Sequence, residues 1–218
     1  MPLTIDIVSD VVCPWCFVGK RKLATALDLY AKERPDAPAP RVTWRPFQLN
    51  PQMPREGMLR SEYVQRKFGR SGPDVYARVS QAGKTVGIDF AFDRIVRQPN
   101  TLAPHVLVAL AAEHGKQDEV VDALFHAYFL EGRDLTDAAV LTEVATGTGL
   151  PRDAVVSCLA DEQARSAVAR EDEQARELGV SGVPFFIFNG RYAVPGAQDP
   201  QVLLQAMLQS ETESAEAR

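Results

Sequence analysis

Cysteine, histidine and tryptophan are scarce in this chain of 218 residues, which has three, three and two of them. Three cysteines are too few for the disulfide framework of a small secreted domain, and they fit a reducing compartment better. A zinc site needs about four ligands. Beyond a single Cys-x-x-Cys the nitrogen and sulfur donors are His105, His114, His126 and Cys158, which are scattered, so no metal is expected. Positive charge is also short. The chain has 24 Lys and Arg against 29 Asp and Glu, and the net charge of −5 argues against nucleic acid or an anionic membrane as partner. No apolar run approaches the roughly 20 residues of a membrane span. The start, Met1-Pro2-Leu3-Thr4-Ile5-Asp6, lacks the basic and apolar regions of a secretory signal. These absences predict a cytoplasmic protein, or a mature chain already parted from a leader. The 45% hydrophobic content is enough to bury a substantial core in one or two closely packed domains.

What is present is a thiol pair in an informative place. Cys13-Pro14-Trp15-Cys16 follows an apolar run over residues 3–8 that reads as a strand, and it opens an amphipathic pattern over residues 17–32. Two thiols on the first turn of a helix, straight after a strand, form a redox-active arrangement. Pro14 suits the first helical position, where a missing N–H is no loss. Cys13 then lies where free backbone N–H groups and the helix dipole favour a thiolate. Cys16 lies one turn on, on the same face. Cys13 is the expected nucleophile and Cys16 the resolving thiol, with the Cys13–Cys16 disulfide as the redox group and no bound cofactor.

Far downstream, Gly179-Val180-Ser181-Gly182-Val183-Pro184 precedes Phe185-Phe186-Ile187-Phe188, which has the composition of a buried strand. A proline at a strand start after a Gly-rich turn is a candidate for a cis bond. Asn189-Gly190 reads as a two-residue hairpin turn into a strand over residues 191–194. A last helix is expected over residues 200–208, and residues 210–218 are polar, without period, and read as a frayed tail. Strand, Cys-x-x-Cys helix, strand, then Val-Pro strand, hairpin strand and helix is the order of a thioredoxin fold.

Between these halves the period is helical from about residue 59 to residue 178. Thr136-Asp137 and Pro151 mark helix starts, and Gly115 and Gly179 mark ends. Residues 87–95 alternate and are expected to form a short extended excursion in reach of substrate. The expected organisation is α/β. Residues 1–58 and 179–209 form a discontinuous thioredoxin-like domain, residues 59–178 an inserted all-helical domain, and residues 210–218 the tail.

The segments Ser9-Asp10-Val11-Val12-Cys13-Pro14-Trp15-Cys16-Phe17-Val18-Gly19 and Ser181-Gly182-Val183-Pro184-Phe185 resemble the DsbA family in its FrnE-like branch. Asn100-Thr101 with Ala103 and His105, and Gly196-Ala197-Gln198, are similar to further signatures of that branch. The resemblance covers residues 3–208. It implies a thiol–disulfide oxidoreductase with a helical insertion in a thioredoxin fold, and a cis Pro184 that faces the cysteines. Kappa-class glutathione transferases and 2-hydroxychromene-2-carboxylate isomerases share this fold but carry Ser for the first Cys. This chain keeps both thiols, which favours redox chemistry over glutathione-dependent transfer, and over a chaperone-like or metal-buffering role.

The remaining candidates have plainer readings beside the functional ones. Trp15, Val183 and Pro184 are expected to contact substrate, with Phe17 and Phe47 either joining Trp15 in an apolar rim or packing in the core. Asp10 is a candidate proton carrier for Cys16 or simple turn chemistry, and Asp6 a carrier or a solvated strand residue. His105 stands near a helix start, beside the active site or at the surface. Gln198 and Asp199 open the last helix, either as a simple helix start or as N–H groups suited to a carboxylate such as that of glutathione. Cys158, within Val155, Val156 and Leu159, reads as a buried inert thiol. Expected partners are protein or small-molecule thiols and disulfides, with glutathione or thioredoxin as electron partner. Monomer and homodimer are equally open.

Overall fold

A computed structural model describes residues 2–69 and 73–216. The chain opens with β1 (Thr4–Ser9), whose Ile5, Ile7 and Val8 are buried. A turn closed by the Cys13 N–H on the Asp10 carbonyl leads into α1 (Pro14–Glu33), with Pro14 in its first turn as expected. β2 (Arg41–Pro46) then runs parallel to β1. Next come β3 (Met58–Leu59), α2 (Arg60–Phe68), a single 3-10 turn at Pro73–Val75 and α3 (Ala77–Lys84). β4 (Arg97–Gln98) pairs back onto β3. A helical run follows: α4 (Leu102–Glu113), α5 (Gln117–Phe129), α6 (Ala138–Gly147), α7 (Arg152–Ala160) and α8 (Glu162–Glu177). β5 (Phe185–Phe188), β6 (Tyr192–Pro195) and α9 (Pro200–Glu216) complete the chain.

The four-stranded sheet has the order β2-β1-β5-β6, with β5 antiparallel to β1 and β6 antiparallel to β5. β1 is therefore interior to the sheet, and the turn that follows it places Cys13 at the C-terminal end of that strand. Local signals place the inserted helices. The Asp137 carboxylate accepts from the Ala139 N–H at 2.7 Å and starts α6, and Asp161 does the same for α8 through Gln163. Gly115 and Gly179 follow helix ends with φ of 64° and 89°, where a β-carbon would be unfavourable. The core is shared across the insertion. Phe17 of α1 stacks on Phe125 of α5 at 5.1 Å between ring centroids, with both rings fully buried. Truncating such a ring costs about 3–5 kcal/mol, so α1 is held by the inserted helices as well as by the sheet.

Four expectations fail in instructive ways. Phe188 pairs with Tyr192, so the hairpin turn has three residues, 189–191, rather than two. Asn189 and Gly190 both take positive φ, as expected, but Arg191 joins the turn. The segment read as a frayed tail is helical to Glu216: Ser210 is buried, and Glu211 accepts a hydrogen bond from the Tyr30 hydroxyl of α1. Residues 217–218 lie outside the described residues. Residues 87–95 form no strand. They fold through a 3-10 turn at Phe92–Arg94, and Phe90 and Phe92 stack at 4.8 Å against the Phe129 edge. The alternation there is an aromatic packing pattern rather than a strand. Cys158 is half-buried rather than buried, and Val156 of the same helix is exposed.

Candidate active site

The site is built where β1 hands over to α1. Cys13 is the residue before the first helical turn, in extended conformation with φ −92° and ψ 110°. Its Sγ lies 3.5 Å from the Val183 carbonyl oxygen, to which the thiol donates. The Val183–Pro184 peptide bond is cis. Close approach of this loop to α1 depends on Gly19, since a β-carbon there would stand 3.0 Å from Pro184 Cγ. Both site cysteines are free thiols.

Cys16 sits one turn deeper and is 1% exposed. Burial pushes its pKa well up, and the hydrogen bond and charge of Cys13 push it further. The polar neighbours Ser9 and the Asp10 backbone favour its thiolate and oppose that rise. The two thiols therefore stand in different settings: the outer one faces the Val183–Pro184 loop, and the inner one is held protonated while Cys13 is free. Ser9 opens the motif that carries the family resemblance, but a serine at a strand end gives no sequence signal for this contact.

Asp10 and His105 are brought together beneath the pair. Asp10 is fully buried, its Oδ2 accepts from the Leu49 N–H at 2.7 Å, and its Oδ1 faces His105 Nε2 at 3.4 Å. His105 is buried too, with Nε2 3.2 Å from the Phe47 carbonyl. Asp6 is elsewhere, paired with Arg45 across β1 and β2 at 2.9 Å. Of the proposed apolar rim only Trp15 is exposed, at 36%, whereas Phe17 and Phe47 are core. Gln198 donates to the Pro195 carbonyl at 2.8 Å, and Asp199 accepts from the Gln201 N–H at 3.1 Å. The Asp199 carboxylate thus caps the helix terminus at which a ligand carboxylate was expected.

Beside Cys13 opens a cavity of about 540 Å³, bounded by Trp15 and Val183 on one side and by α2 and α3 on the other. Its volume is that of an ordinary small-ligand site.

Known proteins match this architecture throughout. The family model described as DSBA-like thioredoxin domain matches residues 4–208. The chain is 26% identical over 209 residues to the uncharacterized protein YwbO of Bacillus subtilis (strain 168), covering 95% of this chain and 96% of that one. It is similar to the crystal structure of a probable DsbA oxidoreductase of Streptomyces coelicolor, with a TM-score of 0.86, 31% identity, and coverage of 97% and 91%. It shares its fold with the cytosolic disulfide reductase DsbM of Pseudomonas aeruginosa, solved with GSH, with a TM-score of 0.60, 18% identity and coverage of 99% of both chains. Among the described residues no helix is long and apolar enough to cross a membrane. With its Cys13–Cys16 dithiol at the start of α1, the chain belongs to the DsbA-like thioredoxin family and is a thiol–disulfide oxidoreductase.

Proposed function

We propose that the protein exchanges disulfides with polypeptide or small-molecule thiols and disulfides in the manner of DsbA and FrnE-like enzymes. The observation that carries this reading is the placement of Cys13 Sγ at the tip of α1, 3.5 Å from the Val183 carbonyl, with Cys16 buried behind it. The Cys13 thiolate attacks a substrate R–S–S–R′, forms Cys13–S–S–R and expels R′–S⁻, which takes up a proton. Two of the causes that hold Cys16 protonated come from Cys13 itself. They lapse once Cys13 is bound in the mixed disulfide, while Ser9 and the Asp10 backbone still favour the Cys16 thiolate. Cys16 then loses its proton and attacks Cys13 Sγ. R–S⁻ leaves, the Cys13–Cys16 disulfide closes, and two electrons have passed to the substrate.

In this reading the Val183 backbone and Pro184 align an extended substrate by strand addition, and Trp15 covers its apolar side chains. Asp10 and His105 relay the proton released by Cys16. Both are buried and adjacent, and the Asp10 carbonyl accepts from the Cys13 N–H. In a reducing cytoplasm the resting form is the dithiol, so the protein works as a reductase or isomerase. Glutathione or a thioredoxin-like dithiol returns the electrons. The test is turbidity from reduction of insulin by the wild type and by Cys13→Ser and Cys16→Ser variants. The wild type should shorten the lag and both variants should not. Full activity of Cys16→Ser with glutathione would favour glutathione-dependent transfer, and a wild type no faster than the uncatalysed control would refute the redox reading.

A further inference from the structure

The cavity beside Cys13 is cationic in an acidic protein. Arg60, Lys67 and Arg78 line it, and among the described residues no aspartate or glutamate does. The whole chain carries a net charge of −5, so this local excess runs against the average. Arg60 is the telling residue. It opens α2 and is only 8% exposed, yet every hydrogen-bond partner of its guanidinium is neutral. Nη1 donates to Gln98 Oε1 and, at 3.3 Å, to the Tyr128 hydroxyl, and Nη2 donates to the Tyr76 hydroxyl at 2.6 Å. Among the described residues its buried Nε has no partner. Buried arginines ordinarily pair with a carboxylate, so this one holds charge and a donor in reserve. Lys67 Nζ lies 2.8 Å from the Tyr63 hydroxyl and 5.3 Å from the centre of its ring, again without an acid. Residues 60, 63 and 67 share one face of α2.

We infer that this cavity binds the carboxylate end of a disulfide substrate and sets the adjoining S–S bond against Cys13. The inference rests on the thiol–disulfide reading above and adds to it a substrate class: acidic disulfides. Arg60 neutralises the carboxylate in depth, and Lys67 and Arg78 draw it in at the mouth. Trp15, Tyr63 and Tyr76 flank the connecting chain. A cavity of about 540 Å³ takes either a small acidic disulfide or one acidic side chain next to a cystine in a polypeptide.

The test compares reduction of three symmetrical disulfides by the dithiol protein: 3,3′-dithiodipropionate, bis(2-hydroxyethyl) disulfide and cystamine. They are anionic, neutral and cationic, and each rate is divided by that with free dithiothreitol to remove intrinsic reactivity. The expected order is anionic, neutral, cationic, with about a tenfold span, since one partly exposed charge pair gives a few-fold effect and three cations act together. High salt should shrink the span. Lys67→Glu and Arg78→Glu should bring the anionic-to-cationic ratio to one or below, with Arg60 left intact to spare the fold. Disulfide-linked peptides with Glu or Gln beside the cysteine form a second arm. A Glu preference there, with the small probes indifferent, assigns the site to acidic polypeptides, and a preference among the small probes assigns it to small acidic disulfides. A third arm needs no redox activity: the rate of iodoacetate relative to iodoacetamide at Cys13, normalised to a free thiol, should exceed one and fall in both variants. If no disulfide is reduced the oxidoreductase reading fails, and the alkylation ratio still decides the cavity. Rates independent of charge in the small probes and in the peptides alike, or ratios unmoved by the charge reversals, would overturn the inference.

Discussion

Gly19→Ala is the substitution that most sharply probes how the substrate loop is held against α1. A β-carbon at this position would lie 3.0 Å from Pro184 Cγ and 3.2 Å from Phe186 Cζ. Optimal carbon contacts are about 3.5–4.0 Å. Pro184 is buried and Phe186 fully so, which means that neither can swing into solvent to make room. Glycine to alanine within a helix ordinarily gains about 1 kcal/mol, whereas overpacking a core costs about 1–3 kcal/mol. The balance should be a net loss of about 1 kcal/mol, or about 2–4 °C in Tm for a chain of this size. Relief comes only by moving the Pro184 loop outward by a few tenths of an ångström. That carries the Val183 carbonyl away from Cys13 Sγ, so disulfide exchange should slow several-fold. Urea unfolding and single-turnover exchange measure the two effects. Gly147→Ala is the control, since Gly147 ends α6 with nothing within 4 Å of its added β-carbon. If Gly19→Ala is as stable as the control and exchanges at the wild-type rate, the packing argument is wrong.

Ser9→Ala should slow resolution of a mixed disulfide about fivefold, the kinetic equivalent of ~1 kcal/mol for losing a polar neighbour that favours the Cys16 thiolate, without changing the attack step. Stopped-flow separation of the two phases checks this, and equal slowing of both would contradict it. Cys158→Ala should leave exchange intact and cost about 1 kcal/mol of stability, since burial and the charges of Asp161 and Glu113 push this half-buried thiol's pKa up. A large loss of activity in a folded variant would show a working third thiol. Burial and Glu211 push the Tyr30 hydroxyl up to about 12, against about 10 in an unfolded chain. The folded state therefore keeps a proton that the unfolded state loses, and this contribution is full below pH ~10 and drains away as the pH rises towards 12. Ultraviolet titration should find one tyrosine near 12, moved down in Glu211→Gln; unchanged titration in that variant would deny the contact between α1 and α9.

Much of the architecture was legible because local chemistry and global fold agree at those points. Pro14 after a strand, Gly115 and Gly179 at helix ends, Asp137 at a helix start and four consecutive apolar residues after Pro184 each admit few conformations. What was misread depended on distant partners. A polar end such as residues 210–216 looks unstructured until α1 supplies Tyr30 for Glu211 and the hairpin supplies Asn189 for Ser210. Residues 87–95 alternate for the sake of an aromatic cluster whose other members, Tyr76 and Phe129, come from elsewhere in the chain. The cationic cavity was missed for the same reason. In sequence, Arg60 and Lys67 belong to a charge-rich stretch that reads as a solvated helix. Arg60 is buried only when β3 and β4 pair and bring up Gln98. The spacing of Arg60, Tyr63 and Lys67 on one helix face was the available signal.

The central claim, that Cys13 attacks and Cys16 resolves, is tested most directly by trapping. Cys16→Ser protein is incubated with a disulfide-containing peptide, quenched in acid, and the adduct mapped by mass spectrometry. The account predicts a stable one-to-one mixed disulfide at Cys13, released by dithiothreitol and absent in the wild type, where Cys16 clears it. An adduct at Cys158, or no adduct under conditions in which the wild type turns over, would contradict it.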